Sequence, residues 1–389
     1  MDIAIYGGSF NPPHLGHAAA VRSAWEQLRP DRFLIIPAAV PPHKRLPPGS
    51  PDGQARLELC RLAFSPFPWA EVLDLELQRE GPSYTIDTLS ELHRRFPGAR
   101  LTLLMGSDML RSFERWHAFS RILAQVRLGV FVREEKEGDA VCKFAANLRD
   151  TYGAQVVQIP HVPLPLHSTA IRDALPQRRG REALEDGVYA AIIRRRFYQA
   201  QPELSWLRER AYAWLKPSRI PHVRGCEAAA AALARRWGAD ADLAAEAGIL
   251  HDITKKLDTP EQLELCRRYG CTLTQEDLDS PKTIHAITGA LVARDQFGVG
   301  DAVYSAIRWH TTGRADMRLL EKIVYMADYM EPTRDFPGVE RLRRLSGEDL
   351  DAAVELGLTM TLEEIKTRGL PPHSQSVEAL SWLRSHSKG

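Results

Sequence analysis

The pattern of apolar residues changes character near residue 200, and this change limits the possible folds more than any bulk property does. Between residues 1 and 159, short β-rich runs (3–6, 33–37, 72–77, 101–105, 127–132 and 155–159) alternate with stretches of helical periodicity (17–28, 54–65, 85–96 and 140–152). Such alternation predicts a parallel sheet wrapped by helices, because parallel strands need crossovers that helices fill. In that architecture ligands sit beyond the carboxyl ends of the strands, so the residues after each run are candidates for chemistry. Beyond residue 202 strand signals vanish and helical patterning runs to the end. A chain of 389 residues is also too long for one ordinary core. The expectation is an α/β unit over 1–198, a linker at 199–202 and an all-α unit over 203–389.

The first run ends in Gly7-Gly8-Ser9-Phe10-Asn11-Pro12-Pro13-His14-Leu15-Gly16-His17, and an alanine-rich helical stretch follows. A strand, a glycine turn and a helix together suit a phosphate. The glycines let the backbone approach the anion, and free N–H groups at the helix start point at it. His14 and His17 can both face that anion from the turn and the first helical turn. The spacing matches neither the dinucleotide fingerprint nor a P-loop. A tight turn with two incidental histidines is the plain structural alternative. The coincidence of His-x-Gly-His, paired glycines and strand–helix context favours the phosphate site.

The stretch resembles the signature of small-molecule nucleotidyltransferases, and specifically of the bacterial nicotinate-nucleotide adenylyltransferases, over about the first half of the chain. The resemblance implies a Rossmann-like fold and transfer of AMP from ATP to nicotinate mononucleotide, with Mg²⁺ carried by the phosphates. It places Gly7, Gly8, Ser9 and Phe10 on the nucleotide and gives charge-neutralising roles to His14, His17, Lys44 and Arg172. Lys44 closes the proline-stiffened loop after the second run, where Ala39 stands in place of the family's frequent asparagine. In Gly81-Pro82-Ser83-Tyr84-Thr85, Ser83 or Thr85 can cap the next helix; the family reading adds recognition of the pyridine nucleotide by Tyr84 and Thr85. Gly106-Ser107-Asp108 followed by Phe113 and Trp116 looks like the family's Gly-x-Asp and aromatic pair. Asp108 would then accept from a ribose hydroxyl and Trp116 would stack a pyridine ring, a core tryptophan being the alternative. Ser168, Thr169 and Arg172 form an anion site at a helix start, which the family uses for the β- and γ-phosphates of ATP. The substrate's own phosphate oxygen would attack the α-phosphorus, so neither protein nucleophile nor general base is required.

In the second half the anchor is His251-Asp252, at the end of the apolar helical run Leu243, Ala247, Leu250. Asp328 lies beside the stripe Leu320, Ile323, Val324 and Ala327, where a carboxylate is costly unless paired or bound to metal. With His222, His285 and His310 these residues suit a first-row transition metal, although any single histidine is more often merely hydrogen-bonded. The order His…His-Asp…His…His…Asp resembles the metal-dependent phosphohydrolases named for the His-Asp doublet. Within them it is most similar to the branch that splits diadenosine tetraphosphate symmetrically, as His310-Thr311-Thr312-Gly313-Arg314 and the segment from Ala327 to Arg334 also suggest. The resemblance implies metal ligation, by iron or another divalent transition metal, at His222, His251, Asp252 and Asp328. It implies polyphosphate binding at His285, His310, Arg314 and Arg334.

Composition removes other classes. Lys plus Arg (51) balances Asp plus Glu (50), so no charge field advertises nucleic acid or membrane. Five scattered cysteines without a Cys-x-x-Cys pair argue for a reducing compartment, and no apolar run approaches a membrane span. The strand-like start predicts no signal peptide, and the expected location is the cytoplasm. The oligomeric state stays open, a homodimer being one option. The rival readings are a phosphopantetheine-type adenylyl- or cytidylyltransferase for the first half. For the second they are a guanosine-alarmone hydrolase, a deoxynucleotide triphosphatase or a metal-bearing interaction module without turnover.

Overall fold

The computed structural model describes residues 1–42, 45–131 and 138–386. The chain divides into two compact units, Met1–Gln201 and Pro202–Gly389. In the first, the strands are β1 (Asp2–Gly8), β2 (Arg32–Pro37), β3 (Ala70–Val72), β4 (Arg100–Gly106), β5 (Val126–Phe131) and β6 (Val156–Ile159). All pair in parallel in the order β3-β2-β1-β4-β5-β6. The helices Leu15–Leu28, Gly53–Phe64, Thr85–Arg95 and Gly138–Tyr152 connect them. Side chains alternate across the sheet. Ile3, Ile5, Leu34, Ile36, Leu101 and Leu103 enter one core with Ile86, Leu89, Leu92 and Leu148 of two helices, while Ala4, Phe33 and Ile35 are buried on the other face. The parallel α/β fold is therefore the one the alternation predicts.

The third run differs from its expected bounds of 72–77. It pairs only at Ala70, Glu71 and Val72, and its ladder closes with Leu73 N–H donating to Ile35 O at 2.9 Å. The next rung would require an N–H from Pro37, which has none, so the chain leaves the sheet and turns with Leu77 N–H on Asp74 O.

This strand order reverses direction between β1 and β4, and the carboxyl ends of those neighbours are the glycine loop and Gly106. That reversal is where open α/β sheets bind ligands. The unit's last residues are bonded into it: Arg196 donates to Ala200 O at 3.0 Å, and Gln201 N–H donates to Leu175 O at 3.0 Å.

The second unit has helices and, among the described residues, no strand. Five segments build its centre. Ile220–Trp237 starts with Pro221 in its first turn, where the missing N–H costs nothing. It ends at Gly238 with φ +73°, and Asp240 caps the next helix, Ala241–Leu250, through Asp242 N–H and Leu243 N–H. Gly248 lets these two helices touch: a Cβ there would lie 2.8 Å from Glu227 Cα. Ile284–Phe297, Asp301–Trp309 and Leu319–Met330 complete the set. Among the described residues no helix is long and apolar enough to cross a membrane.

Candidate active sites

In the first unit the loop after β1 is anchored from several elements. Arg56, on Gly53–Phe64 and only 1% exposed, donates to Ser9 O (2.8 Å), Ala38 O (2.7 Å) and Ala39 O (2.8 Å). It thereby ties the glycine loop to the loop after β2. Asn11 donates to Ser50 Oγ at 2.8 Å and accepts from the Tyr198 hydroxyl at 2.7 Å. Ser168 donates to Pro12 O at 3.1 Å, and Arg172 donates to Asn11 O at 2.7 Å and to Thr169 Oγ1 at 3.0 Å. The two phosphate motifs, 156 or more residues apart in sequence, are thus one site.

Helix Leu15–Leu28 begins after His14, whose ring lies 3.8 Å from that of His17. The His14 backbone N–H donates to His17 Nδ1 at 3.2 Å. In a neutral ring this leaves the proton on Nε2. The glycine between them leaves room for the ring, since a Cβ on Gly16 would stand 3.0 Å from His14 Nδ1 and press on it. Phe10 packs edge-on at 5.1 Å from the His17 ring and limits Gly8, whose Cβ would meet its ring at 3.2 Å; a Cβ on Gly7 would make only ordinary contact, with Ile36 O at 3.9 Å.

Tyr84 precedes helix Thr85–Arg95, and its ring lies 4.5 Å from that of His117. Ser83 does not cap that helix. Its hydroxyl instead accepts from Ala39 N–H (3.0 Å) and Val40 N–H (3.3 Å), steadying the loop after β2. Tyr84 and Trp116 both pack, half-buried, against the main core, with Trp116 5.1 Å from Phe113. Gly106 ends β4, and Asp108 is exposed in the short helix that follows. Lys44 lies outside the described residues.

In the second unit the histidines and aspartates scattered along the sequence converge. His222 Nε2 lies 3.2 Å from His251 Nε2 and 3.1 Å from Asp328 Oδ1, and His251 Nε2 lies 3.4 Å from Asp252 Oδ2. The other oxygen of Asp252 meets His285 Nε2 at 3.1 Å and His310 Nε2 at 3.7 Å. Each imidazole has its Nδ1 bonded outward. His251, His285 and His310 use the carbonyls three residues back, Gly248, Lys282 and Ile307, at 2.7–2.8 Å. His222 uses buried Glu331 at 3.0 Å. These contacts aim every Nε2 lone pair inward, the arrangement of metal-ligating histidines.

Such a centre fits a cation. Two Nε2 atoms and two carboxylates face one another, and buried Asp252 Oδ1 makes no well-aligned hydrogen bond although His285 Nε2 lies 3.1 Å away. Burial opposes charge on every one of these groups. It is outweighed at His222, which Asp328 lifts to about 9, and at His251, which Asp252 holds well above the usual range. Asp252 and Asp328 are in turn held well below the carboxylate range by the imidazoles around them. At His285 burial prevails and pushes the ring down to about 4, and His310 moves the same way. The acceptors are complete only with positive charge among them, supplied by protons or by a metal that displaces them.

Basic side chains surround the carboxylates. Arg219 donates to Asp252 Oδ2 at 2.6 Å, Lys255 Nζ lies 3.0 Å from His285 Nε2, and Arg334 donates to Asp328 Oδ1 at 2.7 Å. Arg314 is occupied elsewhere, pairing with buried Glu321 at 3.0 Å. Arg219, Lys255 and Glu331 were not singled out from sequence. Their local signal is nearness to a candidate ligand, Arg219 three before His222, Lys255 three after Asp252 and Glu331 three after Asp328.

The Cytidylyltransferase-like family matches residues 5–174, and the HD domain family matches residues 219–333. A probable nicotinate-nucleotide adenylyltransferase of Gemmatimonas aurantiaca is 35% identical over 214 residues, spanning 54% of this chain and 99% of the relative. A symmetrical bis(5'-nucleosyl)-tetraphosphatase of Halalkalibacterium halodurans is 37% identical over 177 residues, 45% of this chain and 93% of the relative. The enzyme of the same description from Bacillus subtilis is 36% identical over 185 residues, 46% and 99% respectively. The chain belongs, by its first unit, to the nicotinate-nucleotide adenylyltransferase family and, by its second, to the HD-domain family of symmetrical bis(5'-nucleosyl)-tetraphosphatases.

Proposed function

We propose that this chain is a bifunctional nucleotide enzyme. Its first unit transfers AMP from ATP to nicotinate mononucleotide, giving nicotinate adenine dinucleotide and pyrophosphate. The observation that carries this reading is the joining of His14, His17, Ser168 and Arg172 at one loop beyond β1. The mononucleotide's phosphate oxygen bonds to the α-phosphorus as the bond to pyrophosphate breaks. His17 donates from Nε2 to the α-phosphate, His14 and Lys44 add donors and charge, and Ser168, Thr169 and Arg172 hold the departing β- and γ-phosphates. Gly7, Gly8, Ser9 and Phe10 line the nucleotide, Gly106 and Asp108 its ribose, and Tyr84, Thr85 and Trp116 the pyridine. Positioning and charge neutralisation are the whole of the catalysis. Mg²⁺ arrives on the ATP phosphates.

The second unit hydrolyses diadenosine tetraphosphate to two ADP. Here the carrying observation is the inward convergence of four Nε2 atoms on Asp252 and Asp328. His222, His251, Asp252 and Asp328 would hold iron or another divalent transition metal, which when bound polarises phosphoryl oxygen and makes water acidic. Because Asp252 turns one oxygen to His222 and His251 and the other to His285 and His310, the donors can hold a second cation. Arg334, Arg219 and Lys255 place positive charge where the ADP leaving group forms, and Arg314 would reach the outer polyphosphate only by leaving its pair with Glu321. Both activities belong to the cytoplasm in this reading.

The test is product analysis on the whole protein. ATP with nicotinate mononucleotide should give the dinucleotide and pyrophosphate, and diadenosine tetraphosphate should give ADP alone. AMP plus ATP would overturn the symmetrical cleavage. Turnover of a guanosine alarmone with none of the dinucleoside tetraphosphate would overturn the substrate while keeping the centre.

A further inference from the structure

Cys226 stands inside the second unit's cluster, and none of the roles above uses it. We propose that its thiolate is a further ligand of the metal held there, so that the cation meets sulfur as well as nitrogen and oxygen. This rests on the reading of the cluster as a metal centre.

Cys226 follows His222 by four residues on Ile220–Trp237, so both side chains leave the same face of the helix. The residue is 1% exposed, and its Sγ lies 3.4 Å from His222 Nε2. One donor atom each from His222, Cys226, His251 and Asp328 all lie within 4.8 Å of one another. A four-coordinate metal with bonds of about 2.0 to 2.3 Å sets its donor atoms roughly 3.3 to 3.8 Å apart. The Sγ–Nε2 separation of 3.4 Å falls within that range, and the 3.1 Å from Nε2 to Asp328 and 3.2 Å to His251 lie about 0.1 to 0.2 Å below it. The thiol also donates to Ala327 O at 3.7 Å, and a sulfur that donates its one proton keeps its lone pairs for a cation. Coordination forms one sulfur–metal bond and sends the thiol proton to solvent, with no change of oxidation state. Thiolate is the softest donor in the set, so it biases the site towards metals that accept sulfur, zinc and cobalt among them, over those that prefer oxygen.

X-ray absorption at the zinc edge of the full chain, loaded with one equivalent of zinc, tests this. The expected first shell contains sulfur at about 2.3 Å beside nitrogen and oxygen at about 2.0 to 2.1 Å. Cys226→Val should lose the sulfur shell and keep the light-atom shell. The Cys142→Ser, Cys271→Ser double variant, which removes the thiols that reach solvent, should keep the sulfur. A light-atom shell alone in the parent protein, or sulfur that persists in Cys226→Val, overturns the proposal and leaves the metal centre standing. Failure of the parent to bind zinc, iron or cobalt at all overturns the metal centre itself and this proposal with it.

Discussion

Glu331 extends the second unit's cluster one contact beyond the residues proposed as metal ligands. It is fully buried, accepts from His222 Nδ1 at 3.0 Å and is steadied by Thr333 N–H at 2.7 Å. Without it, His222 loses the contact that fixes its ring and tautomer. Glu331→Ala is expected to weaken metal binding by about 10- to 100-fold, the scale for such outer partners, with adenylyl transfer unchanged. Titration against a coloured chelator measures the first and pyrophosphate release the second. Gly225→Ala approaches the same contact from the other side, since a Cβ there would lie 2.1 Å from Glu331 Oε2. It should weaken metal binding in the same direction although every ligand is intact; unchanged affinity in both variants would remove Glu331 from the centre. In the first unit, His17 presents Nε2 because the His14 backbone occupies Nδ1. His17→Ala should slow adenylyl transfer by about 10²-fold or more, the scale for losing a preorganised donor, without lowering the melting temperature. Near-native turnover would end its proposed role.

At the scale of elements, the site loops of the first unit are held by a buried side chain rather than by regular structure. Arg56 reaches from Gly53–Phe64 to carbonyls of the loops after β1 and β2. Four carbonyls, those of Ser9, Ala38, Ala39 and Pro51, would lose this donor in Arg56→Met, and each buried orphan costs about 1–3 kcal/mol. The variant should therefore destabilise the first unit by at least about 3 kcal/mol in denaturant unfolding. It should also raise KM for both substrates, because the two loops it joins face the site from neighbouring strands. A variant with native stability and native KM would reduce Arg56 to a packing residue. Helix register does the equivalent work in the second unit. Pro221, in the first turn of Ile220–Trp237, precedes His222 by one residue, and Ala241–Leu250 ends one residue before His251, so both proposed ligands stand at helix ends.

At the scale of the whole molecule, each unit has its own core and its own chemistry, so polypeptides 1–201 and 202–389 should each be soluble and carry one activity. In the full chain, Asp252→Ala should lose bound metal and hydrolysis together while adenylyl transfer persists. A polypeptide ending at 198 should melt below one ending at 201, because it lacks the Gln201–Leu175 and Arg196–Ala200 contacts. If neither half folds alone, the units depend on each other for stability. The alternation of apolar runs sufficed to predict the parallel α/β layer and the helical second half, because periods of 2 and 3.6 residues are local properties of the chain. Only the exit of the chain from β3 departed from it, through the missing N–H of Pro37. The histidines and aspartates of the second unit's cluster were singled out too, Asp328 as a carboxylate costly beside an apolar stripe and the set as a whole by its resemblance to the His-Asp hydrolases. Arg56, Arg219, Glu331, Gly225 and Cys226 were not. Glu331 meets His222 across 109 positions, Arg56 meets Ser9 across 47 and Arg219 meets Asp252 across 33. A local pattern tells which face of an element is buried, but not which distant residue will stand against it. That was decided by the packing of helices and loops, where a buried donor, acceptor or missing Cβ has meaning only in the presence of its partner.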